Sequence, residues 1–201
     1  MNPTIATNPI RHTILRTLSG SMVFAAQALA PGLAGAGDVN MTPGDGSGEH
    51  SFDTAGHWDS GAAPTAGNNY FTAYILRSPN AGASAVTFQG DSLTLQPGGA
   101  IYQKLNPLVM TVNVLTNMGR VSNAQGGAFT ILGNMYVPTD NVGGGMDTGS
   151  GNTGAGDSRS ITNGMTIHGA GGLTNYTADA NWPNTPQAQG TVVYTGDNTD
   201  F

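Results

Sequence analysis

The chain has no cysteine and very little charge. Without cysteine there are no disulfides, no thiolate metal sites and no Cys nucleophile. Charged residues make up 9% of the sequence, against roughly 25% for an average soluble protein. Surface polarity must therefore come from Asn, Thr, Ser, Gln and the backbone. Cations are scarcest of all: from Gly37 onward only Arg77, Lys104, Arg120 and Arg159 are present, and the formal net charge is −6. No basic patch exists to neutralise phosphates, which argues against nucleic acid and anionic membrane surfaces as partners. No apolar stretch reaches the length needed to span a bilayer.

Helix formers are also short. Thirty-one glycines and eleven prolines disfavour helix interiors. What remains is a set of β-branched and aromatic clusters, "YFTAYIL", "AVTF", "SLTL", "LVMTVNVL", "FTIL" and "TVVY". These point to folded β structure rather than general disorder.

The first 36 residues read as a signal peptide. Arg11, His12 and Arg16 form a positive region, Leu18 to Leu29 a short apolar stretch, and small residues end it at Ala28 and Ala30 and again at Ala34 and Ala36. Cleavage after Ala30 or after Ala36 fits the small-x-small rule. This predicts a secreted or cell-surface protein. Residues 37–50, with "DVNMTPGDGSG", lack periodicity and read as a flexible lead-in, and residues 51–201 read as one β domain.

Within that domain, a strand is expected from Tyr70 to Leu76, and further ones at Val86 and Phe88, at Leu93 and Leu95, and at Ile101 with Gln103. Val112, Val114 and Met118 are expected on one side of the next strand. Phe129, Ile131, Met135 and Val137 follow, then Ile161, Met165, Ile167 and Leu173, and finally Thr191 to Thr195. Thr139 to Asp157 and Ala178 to Gln189 are too rich in Gly, Asp, Asn or Pro for strands and read as loops. Strand centres at Leu93, Val112, Ile131, Met165 and Val193 open with two steps of about nineteen residues, a spacing near twenty that suits stacked solenoid repeats. An antiparallel β-sandwich or jelly roll, with strands every 8–12 residues or so, fits the strand spacing equally well.

Few side chains gather in a way that suggests chemistry. Glu49, His50, Asp53, His57 and Asp59 lie close in sequence and offer ligands for a transition metal. His50 and His57, however, are seven apart with no helix to join them, so a polar cap over the first strands, with Trp58 covering apolar edges, is the better reading. Asp140, Asp147 and Asp157 lie in a Gly-rich stretch that suits calcium but lacks its repeat spacing. Asp91, Asp179, Asp197 and Asp200 are the candidates for paired-carboxylate catalysis of a polysaccharide lyase or hydrolase. No cation sits in a cluster with acids and His to assist them. His168 stands alone beside a turn. No metal, cofactor or catalytic residue is expected. Glycan contact is harder to dismiss, with Trp182, Trp58 and Tyr176 as the candidate stacking faces beside Tyr70, Tyr74 and Tyr102.

Three segments carry a resemblance. "FDTAGHWDSGAAPTAGNNYF" (52–71), "TFQGDSLTLQPGGAIYQK" (87–104), and "ITNGMTIHGAGGLTNYT" (161–177) followed by "GTVVYTGDNTDF" (190–201) resemble bacterial surface proteins with autotransporter-associated β-strand repeats. The resemblance covers most of residues 51–201. It departs from the pattern in the insert "ADANWPNTPQAQ" and in lacking a glycine after Phe201. It implies a right-handed parallel β-helix, export, a passenger-like structural or adhesive stalk, and no defined catalytic residues. The expected partners are further β-helix turns of the same protein and surface glycans. On this reading the chain is the N-terminal piece of a longer protein, stopping within a repeat, with a glycan-binding β module as the alternative.

Overall fold

The computed structural model describes residues 36–42, 51–79, 82–141, 143–148, 159–176, 190–198 and 201, all in the unit Ala34–Phe201. The expected signal peptide through residue 35, the expected 178–189 loop with Trp182, and Glu49, His50, Asp157, Asp179 and Asp200 lie outside the described residues.

The described chain is all-β, with a single short 3-10 turn at Ala55–His57. The strands are β1 (Gly37–Asn40), β2 (Asn68–Thr72), β3 (Ile75–Arg77), β4 (Ala85–Phe88), β5 (Ser92–Leu95), β6 (Ala100–Tyr102) and β7 (Leu108–Asn117). They continue with β8 (Arg120–Ser122), β9 (Gly127–Tyr136), β10 (Gly145–Asp147), β11 (Arg159–Asn163), β12 (Thr166–His168), β13 (Thr174–Tyr176) and β14 (Thr191–Tyr194). They form a nine-stranded sheet, ordered β1-β2-β5-β7-β9-β11-β14 with β4 also on β7 and β12 also on β9, and a five-stranded sheet, ordered β13-β10-β8-β6-β3.

Every ladder between these strands is parallel. The antiparallel sandwich is therefore excluded for them: its hairpins would pair neighbours in sequence, whereas a parallel pair needs a long crossover. Partners here lie between 20 residues apart, as in Leu115 with Met135, and 32 apart, as in Phe129 with Ile161. Each crossover between neighbours in the five-stranded sheet carries strands of the nine-stranded one, as β7 runs between β6 and β8.

Parallel register stacks like on like. Val39, Tyr70, Leu93, Leu115, Met135 and Ile167 pair in succession, and all are buried. Leu76, Ile101, Val121 and Met146 make a second buried row in the smaller sheet. Together with Leu108, Phe129 and Ile161 they belong to one hydrophobic cluster. At one end an aromatic group closes it: Trp58 meets Tyr70 edge-on at 4.8 Å, and Phe88 meets Tyr70 at 5.3 Å and Phe52 at 5.5 Å.

The corners following the smaller sheet's strands are polar yet buried. Ser78, Gln103, Asn123 and Thr148 are at most 1% exposed, and the first three bond turn backbone that no strand can serve. The Ser78 hydroxyl accepts from Lys104 N, Gln103 Oε1 from Gln125 N, and Asn123 Oδ1 from Gly126 N. Such groups are tolerated inside because each is paired.

Several expectations change. The Tyr70–Leu76 strand is two strands, β2 and β3, because Thr72 Oγ1 accepts from Tyr74 N at 3.0 Å and turns the chain. Gly37–Asn40, expected to be flexible, pairs with β2. Part of the Thr139–Asp157 loop is β10, held between β8 and β13. Val114 is 36% exposed while Leu115 is buried, because the register shifts between Val112 and Val114. Gly133 answers that bulge on β9: at φ +124, an added Cβ would lie 1.8 Å from Val112 O, so only glycine fits. The nineteen-residue spacing also crosses columns, since Leu93 pairs with Leu115 and Ile131 with Met110.

Candidate functional site

The five-stranded sheet alternates along each three-residue strand. The middle residues of β3, β6, β8 and β10 form its buried row, whereas Asn175 of β13 is exposed, and the flanking positions make two outer rows. One outer row is Arg77, Tyr102, Ser122, Asp147 and Tyr176; the other is Ile75, Ala100, Arg120, Gly145 and Thr174. Glycines lead into these strands at Gly99, Gly119 and Gly144. The backbone packs tightly there: a Cβ on Gly119 would lie 2.1 Å from Gly99 O. The result is a strip without side chains beside the outer rows. It opens into a furrow of about 360 Å³ lined by Ile75, Gly98, Gly119, Tyr102, Arg120 and Tyr176, among others.

Arg120 stands at its centre. One guanidinium nitrogen lies 3.5 Å from Asp147 Oδ2, with side-chain exposures of 40% for Arg120 and 2% for Asp147. The Ser122 hydroxyl donates to the same carboxylate oxygen at 3.2 Å. The guanidinium carbon sits 4.3 Å from the centre of the Tyr176 ring, a cation–π distance. Tyr176 is itself fixed, its hydroxyl donating to Gly143 O at 2.8 Å. A buried carboxylate and an aromatic face thus hold one arginine in a single orientation, leaving other N–H groups of its fork for a ligand.

Of the aromatic candidates, Tyr176 lies in this furrow, Trp182 is outside the described residues, and Trp58 is 2% exposed with its Nε1 donating to Phe52 O. Trp58 has no face open to a sugar; it belongs to the end cluster. Tyr70 is buried in the same cluster, its hydroxyl accepting from Thr65 N. Tyr102, which the sequence did not set apart from the other tyrosines, joins Tyr176 in the furrow.

The acidic candidates do not converge. Asp53 and Asp59 are exposed and His57 is buried. Asp59 accepts from Asn40 through backbone and side chain. Among the described residues no three His, Asp or Glu side chains are placed to hold a metal ion. Asp147 is committed to Arg120 rather than to an exposed loop. Asp91 accepts from Gly67 N, and Asp197 belongs to the turn whose carbonyl accepts from Ile167 N. Between them lie the strand steps from Leu93 through Leu115, Met135 and Ile167. These three steps and a fourth from Ile167 to Asp197, at about 4.8 Å each, give roughly 19 Å, well beyond the roughly 5–9.5 Å between glycosidase carboxylates.

The Arg120–Asp147 pair went unrecognised in the sequence because its members are 27 residues apart. The signal that marks it is the recurring Gly-x-apolar-polar quartet: Gly99 to Tyr102, Gly119 to Ser122 and Gly144 to Asp147. No family model matches the chain, and neither the curated proteins nor the solved structures give a match.

Proposed function

We propose that the chain is a non-enzymatic structural segment of an exported bacterial surface protein, built as a right-handed parallel β-helix that presents its polar loops for contact. The observation that carries this reading is the succession of parallel ladders whose crossovers are themselves strands. A turn of that kind cannot bury its own apolar residues, so stability comes from stacking on neighbours. Side-chain rows and backbone ladders then supply stiffness with few ionic contacts, which suits a chain with 9% charged residues. The signal-like leader and the resemblance to autotransporter-associated repeats support export.

The test is to express the full chain with its leader in a bacterial host, then expose intact cells to protease and sequence the product's N-terminus. A protease-accessible or secreted product beginning at Pro31 or Gly37 is expected. Full-length protein retained in the cytosol with Met1 intact overturns the export reading. Incubation with acidic and neutral polysaccharides should release no new ends. Turnover abolished by Asp91→Asn or Asp197→Asn would instead establish an enzyme.

A further inference from the structure

We infer that the furrow on the five-stranded sheet binds a neutral oligosaccharide, held between Tyr102 and Tyr176 with Arg120 as the central hydrogen-bond donor. The inference stands independently of the structural-segment reading. The furrow's volume of about 360 Å³ falls within the roughly 300–1,000 Å³ of small-ligand sites. Tyr102 on β6 and Tyr176 on β13 occupy the same register position, three strand steps apart by way of β8 and β10. At about 4.8 Å per step that is roughly 14 Å, a span for a short chain of sugar rings rather than for one. Both tyrosines are partly exposed, and a tyrosine offers an apolar face with a polar rim, as a pyranose does.

Electrostatics chooses among ligand classes. The charge of Arg120 is already matched by buried Asp147, so a carboxylate or phosphate ligand would compete with a carboxylate that cannot leave. A phosphate cradle needs free backbone N–H groups, and Gly99 and Gly119 in the furrow have spent theirs, as have Gly144 and Gly145 beside it. Gly99 N donates to Gln96 O, Gly119 N to Asn117 Oδ1, Gly144 N to Asn141 Oδ1 and Gly145 N to Gly119 O. A polar lining with a fixed arginine is a poor host for a purely apolar molecule. Hydroxyl groups, which accept from the remaining guanidinium N–H groups without needing net positive charge, satisfy all three conditions.

The experiment is isothermal titration of the full chain with cellotetraose, maltotetraose and chitotetraose, and with tetragalacturonate as the acidic arm. At least one neutral tetrasaccharide is expected to bind. Tyr102→Ala and Tyr176→Ala should each weaken it roughly tenfold or more. Arg120→Lys, which keeps the charge but loses the fork, should weaken it as well. Tyr136→Ala, at a tyrosine 48% exposed on the other sheet, should leave it unchanged. Thermal melts identify any variant that fails to fold, and Tyr102→Ala carries the test if Tyr176→Ala does so. Absence of binding by all three neutral sugars overturns the proposal. So does binding that survives both tyrosine substitutions, or a salt-sensitive preference for tetragalacturonate.

Discussion

Tyr194 links one residue to the pH dependence of the whole fold. Its ring packs against the core from β14, and its hydroxyl donates to Asn175 Oδ1 at 2.7 Å. Burial raises its pKa above the ordinary 10.0, while Asn175 works in the opposite sense, since its amide can turn an N–H toward a phenolate. The raised value means that the folded state holds this proton where the unfolded chain has begun to release it. The associated stability is full below the unfolded value and is lost as pH rises through the folded one. Urea midpoints measured from about pH 8 to about pH 11 should therefore fall more steeply for the wild type than for Tyr194→Phe. Parallel curves would show that this half-buried phenol has no linkage to folding.

At the scale of elements, β10 shows what local pattern could not reveal. Gly145, Met146 and Asp147 have neither alternation nor β propensity to mark them, and the surrounding glycines and aspartates read as loop. Pairing with β8 and β13 makes them a strand, and Met146 is fully buried between Val121 and its neighbours. Met146→Ala should cost about 2–5 kcal/mol in chemical denaturation, whereas Met118→Ala, at a half-buried corner, should cost much less. Equal, small losses would mean that β10 is not part of the cooperative core. The elements that were legible, β4, β5 and β9, have period-two alternation of apolar residues, the direct imprint of one buried face, while β14 was legible from its β-branched and aromatic residues. The β7 bulge was not legible, because one extra residue inverts the alternation and Val112-Asn113-Val114 continues it unbroken. The furrow was legible only in part: Tyr176 stood out as an aromatic, but Arg120 and Asp147 meet through register that no local window contains.

At the scale of the whole described unit, parallel stacking leaves edges that must be managed, since an unpaired strand is a template for another chain. Two edges of the larger sheet, β4 beside the main strand order and β14 at one end of it, are treated differently. Beside β4, whose one named partner is β7, Pro64, Pro79 and Asp53 line a cavity of about 300 Å³ with Phe52 and Val86. Proline cannot donate to a new ladder, and a carboxylate resists burial there. β14 stands at one end of the sheet order with Val193 43% exposed and Phe201 50% exposed, and Thr191–Tyr194 include neither proline nor charge. Val193 points away from the core, since its neighbours Val192 and Tyr194 are the residues that pack inward. A charge at this position therefore meets water in the monomer and obstructs only edge-to-edge pairing. Val193→Lys should change folding stability by no more than about 0.5 kcal/mol while reducing concentration-dependent association in sedimentation velocity. Association that persists unchanged in the variant would place the sticky surface elsewhere than β14. A large loss of stability would mean that Val193 contributes to the core despite its exposure.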